Sequence, residues 1–185
     1  MSATKEGLDE LTLPDMARRL ANMVRYGTVL EVNHETKSVR IKSGDIETDW
    51  MRWPAGSANS RKRRWDPPTV GEQVCMLSPT GDMRQATFIP GIYRDEYDAP
   101  SADPDEDLAE YSDGAVISYN VGTHTLTANL QEDTSLIMDR TSIKATRGNA
   151  SVELTNTALT LTFGDQSLVM DAAGITLTGT TVNLN

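Results

Sequence analysis

Two periods of apolar residues divide the chain. Over residues 13–26, Met16, Leu20, Met23 and Val24 fall on one face, the spacing of an amphipathic helix. Thr12-Leu13-Pro14-Asp15 supplies its start, with a Thr cap, an early proline and an acidic residue near the positive end of the dipole. Gly27 supplies its stop. Such a helix either packs on its own domain or docks against a neighbouring subunit. From residue 27 the period falls to two. Strands are predicted at Thr28–Val32, at Val39–Lys42, in a segment ending Thr48–Trp53, around Glu72–Leu77 and at Gln85–Ile89. Five short strands with a long loop between the third and fourth fit a small barrel of the OB type.

A repeat occupies the C-terminal part. Apolar residues there come as i, i+2 pairs: Leu136/Met138, Ile143/Ala145, Val152/Leu154, Leu159/Leu161 with Phe163, Leu168/Met170, Ile175/Leu177 and Val182/Leu184. Their starts lie 7, 9, 7, 9, 7 and 7 residues apart, a strand-and-turn unit. Turns are predicted at Arg147-Gly148-Asn149, Phe163-Gly164-Asp165 and Ala172-Ala173-Gly174. A lone sheet of this kind would leave an apolar stripe and open edges in water, which soluble chains avoid. Units of seven to nine residues are too short to close a solenoid coil alone, so the pattern favours three chains wrapped about one axis. The predicted axis core is Leu136, Met138, Ile143, Val152, Leu154, Leu159, Leu161, Leu168, Met170, Ile175, Leu177, Val182 and Leu184. At the usual strand spacing such a prism is on the order of 40 Å long, stiff along its axis.

Composition separates the same two regions. All three tryptophans and all eight prolines precede residue 105, whereas residues 123–185 hold 14 Thr and 4 Ser. Of the net charge of -10, the 86 residues from 100 onward carry -9. Residues 98–112 are rich in Pro, Ala and like charges and read as an acidic linker. The predicted organisation is therefore an N-terminal segment with the helix (1–26), an OB domain (27–97), the linker (98–112) and the repeat (113–185).

Candidate chemistry is sparse. Only two histidines are present, His34 and His124, and a metal cluster needs more; no cofactor is expected. The single cysteine, Cys75, lies in the run Val74-Cys75-Met76-Leu77 and reads as a buried, inert thiol. No phosphate-binding glycine loop occurs, and an enzyme is not expected. Arg61-Lys62-Arg63-Arg64-Trp65 puts four cations beside an aromatic, but the first 99 residues hold 14 basic and 15 acidic groups, too balanced for nucleic-acid binding. No apolar run reaches the roughly 18–20 residues of a membrane span, and the N-terminus lacks the apolar core of a signal peptide, so synthesis in the cytoplasm is expected.

Arg25-Tyr26-Gly27-Thr28-Val29, Thr48-Asp49-Trp50 with Trp53, Val70-Gly71-Glu72-Gln73-Val74, Phe88-Ile89-Pro90-Gly91-Ile92-Tyr93 and Asp113-Gly114-Ala115-Val116-Ile117 occur in a characteristic order. In these segments the chain resembles the baseplate assembly protein V family, the central spikes of contractile phage tails, and in size and plan most of all the spike of an R-type pyocin. The resemblance implies a homotrimer. Its OB domain would sit beneath the tail tube among baseplate proteins, and its intertwined triple-stranded β-helix would be driven through the target outer membrane by sheath contraction. It also implies a location in the assembled tail particle, released on lysis. The His-x-His pair that binds iron at the tip of several members has no counterpart here, so the tip is either blunt or closed by a separate small capping protein. The competing reading is an OB protein that binds nucleic acid or glycan and carries a β-repeat tail.

Overall fold

A computed structural model describes residues 12–131 and 133–181; Val182, Leu184 and most of the N-terminal segment expected before the helix lie outside the described residues. The chain forms two compact units that divide between Asp98 and Ala99. The described residues are mainly β, with one α-helix and antiparallel sheets.

In the first unit α1 spans Leu13–Met23. Thr12 caps it, its Oγ1 accepting from the Asp15 amide at 3.4 Å and donating to the Asp15 carboxylate at 3.1 Å. The helix stops three residues earlier than predicted. Val24, Arg25 and Tyr26 pair instead with Leu77, Met76 and Cys75, so strand pairing overrides the helical spacing of Val24. Gly27 is correspondingly not a helix stop. It lies inside β1 (Val24–Asn33), where a Cβ would come within 2.7 Å of both Ile41 Cγ2 and the Lys42 carbonyl; only glycine lets the strands approach so closely.

The barrel sheet continues with β2 (Ser38–Ser43), β3 (Ile46–Glu47), β4 (Met51–Arg52), β5 (Gln73–Leu77) and β6 (Thr87–Ile92), in the order β3-β2-β1-β5-β6 with β4 also on β2. The predicted third strand is thus split in two. Between the halves Thr48 is buried and its side chain joins the ladder, Oγ1 accepting from the Ile41 amide at 2.9 Å while its own amide donates to the Ile41 carbonyl at 2.9 Å. The predicted fifth strand starts two residues late, after a short 3-10 turn at Met83–Gln85. Pro90 is tolerated in β6 because that strand is an edge.

Val29, Val39, Ile41, Val74, Met76 and Phe88 make the core. Since Val74 and Met76 point inward, Cys75 between them points out and is only half-buried. The expectation of a buried thiol came from an apolar run whose alternate members serve opposite faces.

The second unit is one nine-stranded sheet. β7 (Glu106–Glu110), β8 (Val116–Asn120), β9 (Thr125–Leu130), β10 (Thr134–Met138), β11 (Ser142–Arg147), β12 (Ala150–Thr155), β13 (Ala158–Phe163), β14 (Gln166–Asp171) and β15 (Gly174–Thr178) follow in chain order, each antiparallel to the next. Two departures from expectation follow. The acidic segment 98–112 is not simply a linker, since Glu106–Glu110 pair with Val116–Asn120. Asn120 Nδ2 also donates to Asp103 Oδ2 at 2.9 Å, and Ser101 Oγ to Glu106 Oε2 at 2.7 Å. Backbone and side-chain hydrogen bonds order a segment that has little to bury. Moreover, every strand pairs with its neighbour in sequence, which leaves no gap for a second chain's strand inside the sheet and so departs from an intertwined arrangement.

Candidate functional site: an apolar sheet face

The strand period and the register together place the repeat's apolar residues on one side of the sheet. Leu136 stands opposite Ala128 and Ala145, and Met138 opposite Leu126 and Ile143. The pairing continues as Ala145 with Val152 and Ile143 with Leu154, then Val152 with Leu161 and Leu154 with Leu159. Leu161 with Leu168 and Leu159 with Met170 follow, and finally Leu168 with Leu177 and Met170 with Ile175. Two unbroken columns result, running across the strands. Among the predicted axis residues, every one that is described lies in them.

Residues the prediction omitted extend both columns. Ile117 pairs with Ala128 and Tyr119 with Leu126, so β8 and β9 belong to the same face. Their i, i+2 spacing, Ile117/Tyr119 and Leu126/Ala128, was the available signal. At β7 the columns end on Ala109 and Asp107.

The opposite face is mainly polar, rich in hydroxyls, with Ile137 and Val169 as its larger apolar members among β10–β15. Ser135, Thr146, Ser151, Thr162, Ser167 and Thr178 form one cross-strand row, and in the neighbouring row Lys144 and Glu153 face each other with Nζ and Oε2 3.5 Å apart. The faces are inverted relative to a normal soluble sheet. Leu136, Met138, Ile143, Val152, Leu154, Leu161, Met170, Ile175 and Leu177 are all exposed, while Leu159 and Leu168 are half-buried. Burial is worth about 25 cal/mol per Å² of apolar surface, and monomeric proteins rarely expose contiguous apolar patches beyond a few hundred Å². The face is a surface made to be covered.

Turn chemistry fixes the register that aligns the columns. Gly148 and Gly164 open two-residue turns with φ of 52° and 57°, the left-handed region that glycine enters without strain. The turns stack, since the Gly164 amide donates to the Asn149 carbonyl at 3.0 Å and the Gly148 amide to the Asp133 carbonyl at 3.1 Å. Between β10 and β11 the Asp139 carboxylate accepts from the Thr141 hydroxyl and amide, both at 2.6 Å, and from the Ser142 amide at 2.8 Å. These donors, the Thr141 hydroxyl foremost, hold its pKa below the usual carboxylate value.

The cationic stretch lies elsewhere, in the barrel unit. Residues 57–64 fold back on themselves, with Ala58 bridged to Arg63 and Asn59 Oδ1 accepting from the amides of Arg61 and Lys62 at 2.9 and 3.0 Å. Arg61, Lys62, Arg63 and Arg64 are all exposed there. Trp65 packs edge-on against Trp53, their ring centres 5.6 Å apart. Among the described residues no group of His, Cys, Asp and Glu is arranged to hold a metal ion.

Comparison with known proteins places both units in one context. The chain is 37% identical over 117 residues to the spike protein of Escherichia phage P2, a match that covers 63% of this chain and 55% of the relative. The chain thus spans about half the length of the curated relative it matches. The match is longer than the 98 residues of the first unit, so it reaches into the second. Residues 25–93, which include all six strands of the barrel sheet from Arg25 onward, match the type VI secretion system/phage-baseplate injector OB domain. By that domain and that relative, the chain is similar to the phage baseplate V family.

Proposed function

We propose that the chain is the central spike of a contractile tail, from a phage or an R-type pyocin, and that it works as a homotrimer. In this reading the OB domain caps the tail tube among baseplate proteins, and the nine-stranded unit is driven point-first through the outer membrane of the target cell. The tip ends bluntly or is closed by a separate capping protein. The observation that carries the reading is the exposed two-column apolar face. Three copies of one sheet, each turning that face to a common axis, bury all six columns and leave the hydroxyl faces in water.

This arrangement takes the place of intertwined chains: each wall of the prism is one chain's sheet. Nine strands at the usual spacing give a wall about 40 Å long, the length expected for the needle. Hydrogen bonds between strands then run along the axis, the direction of load. The role asked of the protein is mechanical, with rigidity rather than bond-making as its output.

The test is the solution mass of the purified chain, by light scattering behind size exclusion at low and high salt. A mass near three times 20.2 kDa that survives dilution is expected. A stable monomer overturns the reading and favours a binding module built on the OB domain. In assembled particles, replacing the chain with a variant that cannot trimerise should abolish permeabilisation of the target outer membrane.

A further inference from the structure

A second uncovered apolar surface lies on the barrel unit and has no role in the prism. On α1 the residues Leu13, Met16, Leu20 and Met23 are exposed, Leu13 at 79% and Leu20 at 71%. Asn22 is the helix's buried residue, half a turn away from Leu13 at 3.6 residues per turn. The helix therefore touches its own barrel by its polar side and turns its apolar stripe outward. An isolated helix of 11 residues is marginal in water without a packed apolar face.

The barrel offers a matching surface. On the outer side of β1, β5 and β6, Tyr26 pairs with Cys75 and Cys75 with Ile89, while Val24 pairs with Leu77. Tyr26 is 66% exposed and Ile89 53%, and Val24 is exposed too. Their cross-strand partners on this face carry no charge. Three strands span about 10 Å, and α1 is about 16 Å long, so one helix suffices to cover the patch.

We infer that the apolar stripe of α1 packs on the outer β1-β5-β6 face of a second copy of this chain, and that three such contacts close a ring around the barrel units. Each copy carries one stripe and one patch, so a head-to-tail contact uses both completely when the rotation closes. The inference rests on the trimer proposed above, which supplies three barrels around one axis. A self-paired contact would bury stripe on stripe and leave the sheet patch wet.

The native Cys75, half-buried at the centre of the patch, makes the contact testable in the full-length protein. Single variants Leu13→Cys, Met16→Cys and Leu20→Cys are oxidised mildly and run on non-reducing gels, with the mass of the same samples taken by light scattering. A disulfide forms only where Cα atoms come within roughly 7 Å. At least one stripe variant should give a ladder ending in a covalent trimer, whereas the unsubstituted chain and Arg18→Cys, on the helix's other side, should not. Adding Cys75→Ser should remove the ladder. A trimeric mass without a ladder, or with an intrachain disulfide alone, overturns the ring and leaves the spike standing. A monomeric mass overturns both.

Discussion

Gly81 is the residue on which α1 rests. A Cβ there would lie 2.3 Å from the Arg19 carbonyl oxygen and 2.5 Å from its Cα, and its φ is +68°. Contact with backbone leaves no flexible neighbour to yield. Gly81→Ala should destabilise the barrel unit by more than about 1 kcal/mol in urea denaturation and speed tryptic cleavage after Arg18 and Arg19. Gly91→Ala is the comparison, because Gly91 also has a left-handed φ, +74°, but nothing lies within 4 Å of its Cβ position. If both variants behave alike, backbone strain and not the helix contact accounts for the loss. Neither the contact nor the role of Gly27 was legible in the sequence, where each glycine reads only as a turn or a stop. Thr48 was similarly opaque, since a threonine that substitutes its hydroxyl for a ladder group looks like any strand residue.

At the scale of elements, what decides the outcome is which face a residue joins. Leu161 lies in an apolar column between Val152 and Leu168, whereas Thr162 beside it lies between Ser151 and Ser167 on the hydroxyl face. In the proposed trimer a carboxylate at the first position would place three charges in a dry prism axis without partners, which is strongly unfavourable. Leu161→Asp should therefore abolish the trimer, and Thr162→Asp should retain it, with mass as the readout. Equal trimer from both would remove Leu161 from the axis. This alternation was the most readable part of the chain, because strand period and glycine turns are local signals. β7 was not readable. Asp107 and Glu110 belong to a strand that is held by pairing with β8 and by a local bond from Ser101 to Glu106, pairing that a composition of Pro, Ala and acid conceals. That all nine strands pair within one chain was also beyond the sequence: an i, i+2 pattern fits a sheet closed within one chain as well as one shared among three.

For the whole molecule, the two units should respond differently to heat and to concentration. The barrel has its own core of six buried residues and folds within one chain. The nine-stranded unit has almost no core in a single chain, for Ala115 alone among its described hydrophobic residues is buried. In the proposed trimer its stability comes from association, and an associating state gains stability with concentration by mass action. If the prism is the sturdier part, the barrels melt first, inside a trimer still held by its spike. That step is unimolecular and its midpoint should not move with dilution, even with the barrels in contact through α1 as proposed. The second step releases three chains, so its midpoint should rise as concentration rises. Differential scanning calorimetry over a hundredfold range of concentration would read both midpoints, provided refolding is complete between scans. Two fixed midpoints would mean that each unit is stable alone, leaving the exposed columns unexplained by trimerisation. A single midpoint that moves would instead mean that the barrels cannot stand without the prism, and that the α1 contacts couple the two units into one cooperative assembly.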